Sequence, residues 1–326
     1  MKKALLQTLA CPTCKSSLSL QNVVEADGEI ESATLHCDAC RSEFPVRDFI
    51  PRFVPAENYA TNFGLQWNLF KRTQLDSYSG VSISKKRFFG ATGWQPEEMR
   101  GKKVLDVGCG AGRFAEIALK AGAEVVALDY SSAVDACRAN LYPNPNLNVI
   151  QGDIYALPFR DESFDFVYCL GVLQHTPNVQ TAFLALPRPL KRGGKLAVDV
   201  YQAQFRNVLS GKYWVRPITM RIAPAKLFSL VEKAVPILLP LSLLLGKVPF
   251  VGRKLRQVLP ISNYDGVHPL TRRQVKEWAV LDTFDMLSPA HDHPQTPRTL
   301  ERWFAAAKMR DVEVFRAGHL VGRGVK

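Results

Sequence analysis

The 326-residue chain has no uncharged apolar run near the roughly 20 residues that a membrane-spanning helix needs. Its longest such run lies between Lys233 and Lys247 and contains Pro236 and Pro240. The apolar start, Met1–Leu9, is short, is broken by Gln7 and Thr8, and precedes no small-residue cleavage site. A cytoplasmic protein is expected, with at most peripheral contact to the inner membrane face. Cysteine is sparse too: seven residues, an odd number, which argues against a secreted disulfide framework. There is no internal repeat and no low-complexity tract. With 47% hydrophobic and 22% charged residues the chain can bury a large core, which excludes bulk disorder. Acids are scarce in one place. From Arg206 to Arg256, ten Lys or Arg stand against Glu232 alone, so this stretch holds +9 of the formal +12. Uniform basicity would suggest general nucleic-acid binding, whereas a concentrated segment suggests a local contact surface.

Four of the seven cysteines form two matched pairs, Cys11-Pro-Thr-Cys14 and Cys37-Asp-Ala-Cys40. Each pair puts two thiols on one tight knuckle, and two knuckles complete a tetrahedral thiolate site for zinc. Such a site has no open position, so the metal is structural. Burial for packing alone is the bland alternative. Redox chemistry is another, but it lacks its usual βαβ setting. The segment between the knuckles reads as strand–turn–strand around Asp27-Gly28. Cys109, Cys137 and Cys169 lie in apolar segments and read as buried thiols.

The chain divides into a zinc ribbon (1–55), a helical connector rich in aromatics (56–100), an alternating core (101–200), a helical insert or lid with a substrate loop (201–290) and a C-terminal completion of the sheet (291–326). In the core, strands are expected at Lys103–Val107, Glu124–Leu128, Asn148–Gln151, Phe164–Leu170 and Lys195–Val200. Helices are expected through Ala121 and at Ser132–Asn140 and Thr181–Leu190. Thr299–Ala307 reads as helix, and Val312–Phe315 and His319–Val325 as strands. Alternating βα units with nearly continuous apolar strands indicate a parallel sheet covered on both faces.

A ligand in such a sheet binds at the carboxyl ends of the strands. Gly108, Gly110 and Gly112 follow the first strand, and the helix after Arg113 points its free N–H groups the same way. The spacing is G-x-G-x-G, whereas the dinucleotide fingerprint is G-x-G-x-x-G. Acids end three successive strands: Asp106, Asp129 and Asp153. Singly, Asp106 could cap a helix and Asp153 could shape a turn. Together, VLDVGCGAGRF (Val104–Phe114) and these acids resemble the class I S-adenosylmethionine-dependent methyltransferases over roughly residues 101–200 and the C-terminal strands. The resemblance implies a Rossmann-like α/β sheet of seven strands with the last antiparallel. It also implies S-adenosylmethionine as cofactor, with Asp106 near the methionine moiety, Asp129 on the ribose, and Asp153 with Ile154 at the adenine. Phe164–His175 resembles the fourth-strand motif, which puts Leu170 at the cofactor. A nicotinamide dehydrogenase is the rival for this region. The ribbon, with Phe44-Pro-Val46 and Ile50-Pro-Arg52 after the second knuckle, resembles small zinc-ribbon proteins that partner tRNA, rRNA and protein methyltransferases. Bacterial rRNA guanine methyltransferases carry a related module whose last ligand is usually His where this chain has Cys40. The whole is similar to bacterial fusion methyltransferases of unassigned substrate, some related to quinone and glycan pathways.

Two places can supply the base that a hydroxyl acceptor requires. His175 follows the fourth strand, either as a base or as a helix-start residue bound to backbone. The segment Asp282–His293 is dense in Asp and His and reads as a loop over the site. Its His291 is a candidate base, and His291, Asp292 and His293 lack further ligands for a metal. In the insert, Leu227, Leu230, Val231 and Ala234 fit an apolar helical stripe, and Ile237–Leu245 is dense in Leu. It reads as a packing lid, as a pocket for a lipid-linked acceptor with cations near anionic headgroups, or as an RNA face stacking Tyr213 or Trp214. The apolar run favours a small-molecule or lipid-linked acceptor over RNA, and nothing points to DNA. O-methylation of such a metabolite is the first expectation and RNA methylation the second. A non-enzymatic S-adenosylmethionine-binding adaptor is the third.

Overall fold

Asp27 and Gly28 both take positive φ (51° and 75°), the two-residue turn that suits the twist of a hairpin. They join β1 (Ser19–Ala26) to β2 (Glu29–His36), and β3 (Glu43–Arg47) and β4 (Ile50–Pro51) extend an antiparallel meander. The computed structural model describes every residue except 56–57, 205–209, 249, 253–255 and 257. Of the basic residues counted above, Arg206, Arg253 and Lys254 fall outside the described residues.

Helices α1 (Thr61–Leu69), α2 (Asp76–Ser79), α3 (Ile83–Thr92) and α4 (Pro96–Met99) precede the main sheet. Its strands are β5 (Lys103–Val107), β6 (Glu124–Asp129), β7 (Leu147–Gln151), β8 (Phe164–Leu170), β9 (Leu190–Val200), β10 (Arg310–Ala317) and β11 (His319–Val325). They lie in the order β10-β11-β9-β8-β5-β6-β7, and β11 runs antiparallel to its neighbours. The seven-stranded arrangement with an antiparallel last strand is as the resemblance implies. Successive residues on the inner strands enter opposite cores, which is why those strands read as continuous apolar runs. Val104, Val125 and Ala127 pack with Phe88 of α3, Ala115 of α5 (Ala115–Lys120) and Val134 of α6 (Ala133–Leu141). Leu105, Val126 and Leu128 pack with Phe183 of α7 (Val179–Ala185) and Phe304 of α11 (Pro297–Ala306).

The ribbon closes the β7 edge of this sheet. The Phe53 N–H donates to the Gln151 carbonyl at 2.8 Å, and the Ala10 N–H to that of Pro158 at 3.0 Å. The Arg52 guanidinium donates to Gln151 Oε1 at 2.9 Å and to Asp135 Oδ1 at 2.7 Å. Leu9, Ile30, Leu35, Cys11 and Cys37 belong to the same apolar core as one face of the sheet. An edge strand is thereby covered and a small module gains a core it could not build alone.

The insert forms α8 (Gly211–Thr219) and α9 (Pro224–Gly246), and α10 (Arg272–Leu287) packs on α9. Three expectations are corrected here. First, Pro236 and Pro240 lie inside α9, and this 23-residue helix is long and apolar enough to cross a membrane by length and composition. Both rings are on its exposed side, where the carbonyls freed by a missing N–H can meet water. Second, its buried stripe is Leu227, Val231, Val235 and Leu239, spaced by four, while Leu230 is 48% exposed and Ala234 only half-buried. Third, the helix expected over Thr181–Leu190 stops at Ala185. Pro187 and Pro189 cannot continue it, so β9 starts at Leu190, five residues earlier than expected.

Candidate functional site

The loop after β5 is held by its neighbours. The Gly108 and Cys109 N–H groups donate to the Leu128 carbonyl at 2.7 and 3.0 Å, and Gly112 N–H to the Cys109 carbonyl at 2.9 Å. Gly108 and Gly112 have φ of 87° and 93°. A Cβ on Gly108 would stand 2.3 Å from Val172 Cγ2, and one on Gly110 3.2 Å from the Trp67 ring. A Cβ on Gly112 would stand 2.7 Å from Leu141, so that glycine serves the approach of α6 and does not reach the cavity wall. The helix after the loop, α5, begins at Ala115, two residues beyond Arg113.

A cavity of about 630 Å³ opens beside this loop, within the usual size of small-molecule sites. Gly108, Gly110, Asp129, Ile154 and Leu170, all named from the sequence, line it together with Gly152. Asp129 Oδ2 accepts from the Gly110 N–H at 2.9 Å, and Oδ1 accepts from the Ser131 N–H and hydroxyl at 2.8 and 2.7 Å. This ties the end of β6 to the loop.

Two acids differ from expectation. Asp106 is 1% exposed beneath the loop and is absent from the cavity wall. Burial pushes its carboxyl up to about 8, so it is protonated at neutral pH. Asp153 accepts from the Tyr155 N–H at 2.9 Å and shapes its own turn, while its neighbours Gly152 and Ile154 face the cavity.

The rest of the wall comes from segments distant in sequence. Tyr59, Phe63 and Trp67 arrive on and before α1, which lies directly on α6 because Gly64 leaves no Cβ to meet Ser132 Oγ. From α3 comes Arg87, paired with buried Asp199 at 2.8 Å. Arg113 donates to Ser84 Oγ at 2.9 Å and Gln74 Oε1 at 2.7 Å, and its guanidinium lies over the Trp278 ring. Among the described residues it has no carboxylate in ion-pair contact. Burial, with Arg87 nearby, lowers its pKa to about 10.

The segment from Asp282 is not a loop but the end of α10, which continues to Leu287. Its acids, not its histidines, reach the cavity. Asp282 accepts a short hydrogen bond from the Tyr264 hydroxyl and another from Gln74 Nε2 at 3.1 Å. Burial and the adjacent Asp285 push Asp282 up to about 7. His291 lies off the wall, with its ring against Tyr59 and His293 at 5.7 and 5.6 Å. What it contributes is its carbonyl, which lies 3.0 Å from Nδ1 of His175. The Asp292 side chain is 3% exposed and pairs with Lys212 at 2.9 Å, which joins α8 to this turn.

His175 itself is buried on the wall between Phe63 and Tyr201. A carbonyl can only accept, so the contact to His291 puts the ring proton on Nδ1 and leaves Nε2 with a lone pair. Burial lowers the pKa of His175, so the ring is neutral at pH 7. Across the cavity His319, held down to about 4 by burial and Arg87, stacks on Tyr201.

The second centre lies in the ribbon. The Cys11 and Cys37 knuckles are near copies: the Lys15 N–H donates to the Cys11 carbonyl at 2.9 Å and the Arg41 N–H to that of Cys37 at 2.8 Å. Lys15 and Arg41 both have positive φ, 63° and 62°. The four Sγ atoms of Cys11, Cys14, Cys37 and Cys40 lie within 4.8 Å of one another, with Cys11–Cys40 at 3.5 Å and Cys14–Cys37 at 3.4 Å. A zinc tetrathiolate with bonds of about 2.3 Å has sulfur–sulfur edges of about 3.8 Å, so the donors fit. Among the described residues this is the one such cluster of metal-ligating side chains.

The residues of the main cavity also fit S-adenosylmethionine: a glycine cradle that a Cβ would fill, a carboxylate at the end of β6, and a buried guanidinium with no carboxylate in ion-pair contact among the described residues. Comparison with known proteins agrees. Residues 105–198 match the methyltransferase domain family and residues 2–48 the Trm112p-like protein family. A sterol 24-C-methyltransferase of Gibberella zeae is 38% identical over 104 residues, 30% of this chain and 27% of that one. A ubiquinone biosynthesis O-methyltransferase of Coxiella burnetii is 34% identical over 113 residues, 34% of this chain and 48% of that one. The chain thus spans less than half the length of these curated relatives. A complex of the Haloferax volcanii Trm112 methyltransferase activator with a methyltransferase is 25% identical at a TM-score of 0.33, covering 45% of this chain and 68% of that one. Two family models thus match within one chain, the methyltransferase domain over residues 105–198 and the Trm112p-like protein over residues 2–48.

Proposed function

We propose that this protein is a cytoplasmic enzyme that transfers the methyl group of S-adenosylmethionine to a hydroxyl oxygen of a small or lipid-linked metabolite. The observation that supports this best is the single cavity shared by the glycine loop, His175 and Asp282. When bound, S-adenosylmethionine supplies a methyl on a sulfonium, so transfer breaks the carbon–sulfur bond and frees the acceptor's hydroxyl proton. Asp129 would hold the ribose hydroxyls, Gly152 and Ile154 the adenine, and Arg113 the methionine carboxylate. His175 takes the proton at Nε2, while the His291 carbonyl keeps the ring oriented. Asp282 and Tyr264 orient the acceptor hydroxyl from the lid side. Tyr59, Phe63, Trp67 and Tyr201 supply an apolar wall that excludes water. Relatives named for sterol and ubiquinone support a metabolite acceptor.

Calorimetry with S-adenosylmethionine and with NAD tests the cofactor; binding of NAD alone would overturn the assignment. Methyl transfer to a panel of phenols and prenylated phenols then tests the acceptor class. Cofactor binding without turnover on any hydroxylated acceptor would favour the adaptor reading. The basic insert favours RNA as a second acceptor class, and methylation of bulk tRNA would put that reading first.

A further inference from the structure

Helix α9 carries two apolar stripes, and among the described residues only one of them is buried against a partner. Leu227, Val231, Val235 and Leu239 are buried against Val275, Ala279 and Phe284 of α10. The other stripe is Leu230, Ile237, Leu241 and Leu244, spaced by seven, four and three, as on one face of a helix. These four are 48%, 73%, 43% and 62% exposed. The apolar surface continues past the helix in Val248, Phe250 and Val251, with Phe250 fully exposed. On α8 and just beyond it, Trp214, Ile218 and Met220 are exposed as well. Exposed apolar side chains gathered on one face in this way are the kind of patch that serves as an interaction surface.

The charges around the stripe decide its occupant. Arg221, Lys226, Lys233 and Lys247 are exposed, and none is in an ion pair among the described residues. On α9 the one acid is Glu232. A basic rim around an apolar helical stripe complements the headgroups and acyl boundary of an anionic bilayer. A soluble protein partner would need a matching acidic rim and apolar groove. The buried stripe also settles orientation. Because α9 stays packed on α10, it lies in the plane of the surface and does not cross the bilayer, although its length would allow a crossing.

We infer that the exposed face of α9, with Phe250 and the basic rim, docks this protein peripherally on anionic phospholipid bilayers. The surface is one helix away from the cavity: α10 packs on α9, and its Trp278, Asp282 and Met286 line that cavity. Docking there brings the lid of the cavity to the bilayer. It stands independently of which molecule receives the methyl group.

The test is flotation of the zinc-loaded full chain with vesicles of phosphatidylcholine alone and of phosphatidylcholine mixed with phosphatidylglycerol. Binding is expected to the anionic vesicles only and to weaken as salt rises, each cation contributing about fivefold. The triple substitution Ile237→Ser, Leu241→Ser and Leu244→Ser should reduce binding at least tenfold, and Lys226→Glu with Lys233→Glu should do so without touching the apolar stripe. All these sites are exposed, so melting temperature and S-adenosylmethionine affinity should stay at wild-type values and report that the fold is intact. Equal binding by wild type and both variants, or no binding to anionic vesicles, would overturn the proposal. So would a wild-type dimer in solution that the triple substitution converts to monomer, because the stripe would then be a contact between copies.

Discussion

At the scale of single residues, the site depends on a few groups whose surroundings set their chemistry. Gly108 has a φ of 87° and no room for a Cβ beside Val172. Gly108→Ala should therefore abolish S-adenosylmethionine binding by calorimetry and cost about 1–3 kcal/mol of stability. His175→Ala should lower turnover by about 10²- to 10⁴-fold while leaving cofactor affinity within a few-fold. Because burial lowers the His175 pKa, the acid limb of the wild-type pH–rate profile should fall below the ordinary histidine value of about 6.5. A limb above it, or turnover unchanged in the variant, would remove His175 as the base. Asp106 has a stability consequence. Its carboxyl is near 8 in the folded protein and near 3.9 unfolded, so the folded state holds the extra proton between those values. Its contribution is therefore fully present below about pH 4 and is lost as pH rises through about 8. Asp106→Asn should become more stable relative to wild type as pH is raised from 5 to 8, by the order of a few kcal/mol in urea unfolding.

At the scale of elements, the helices of residues 211–287 build a small core of their own whose central ring is Phe284, fully buried with Phe228 and Val231 around it. Phe284→Ala should cost about 3–5 kcal/mol by the loss of buried area and the cavity left behind. Because Asp282 and Met286 lie within a turn of it on α10, the same change should raise the KM of the acceptor more than it weakens S-adenosylmethionine binding. Limited proteolysis should then cut first in residues 211–287. If the variant loses both ligands equally, the lid and the cofactor loop behave as one cooperative unit.

At the scale of the whole molecule, the ribbon and the sheet share one core and a closed edge. Gln151, which takes bonds from Phe53 and Arg52, directly precedes Gly152 at the cavity. Removing the metal should therefore reach the cofactor site. One zinc per chain is expected by elemental analysis, and a strong chelator or Cys37→Ser should lower the melting temperature by roughly 10 °C. S-adenosylmethionine affinity should fall with it. A ribbon that unfolds while affinity is unchanged would show that the two units are only tethered.

Much of this was legible because it is local. Chain-neighbour patterns determine the two knuckles, the Asp27-Gly28 turn, the apolar strands and the glycine loop, since a turn's φ angles and a strand's alternation depend on adjacent residues. They also place Asp129, Ile154 and Leu170, because those follow strand ends whose position the sheet dictates. What only the tertiary structure decided is which side chains share a space. Arg113, Tyr264 and Asp282 meet on one wall although about 170 residues separate the first from the last, and no spacing rule connects them. His291 looked equivalent to His175 in the sequence. Packing turned its ring away and kept its carbonyl, and the same packing left one stripe of α9 buried and the other open. The glycine loop was written in consecutive residues; the rest of the cavity wall exists only where separate elements converge.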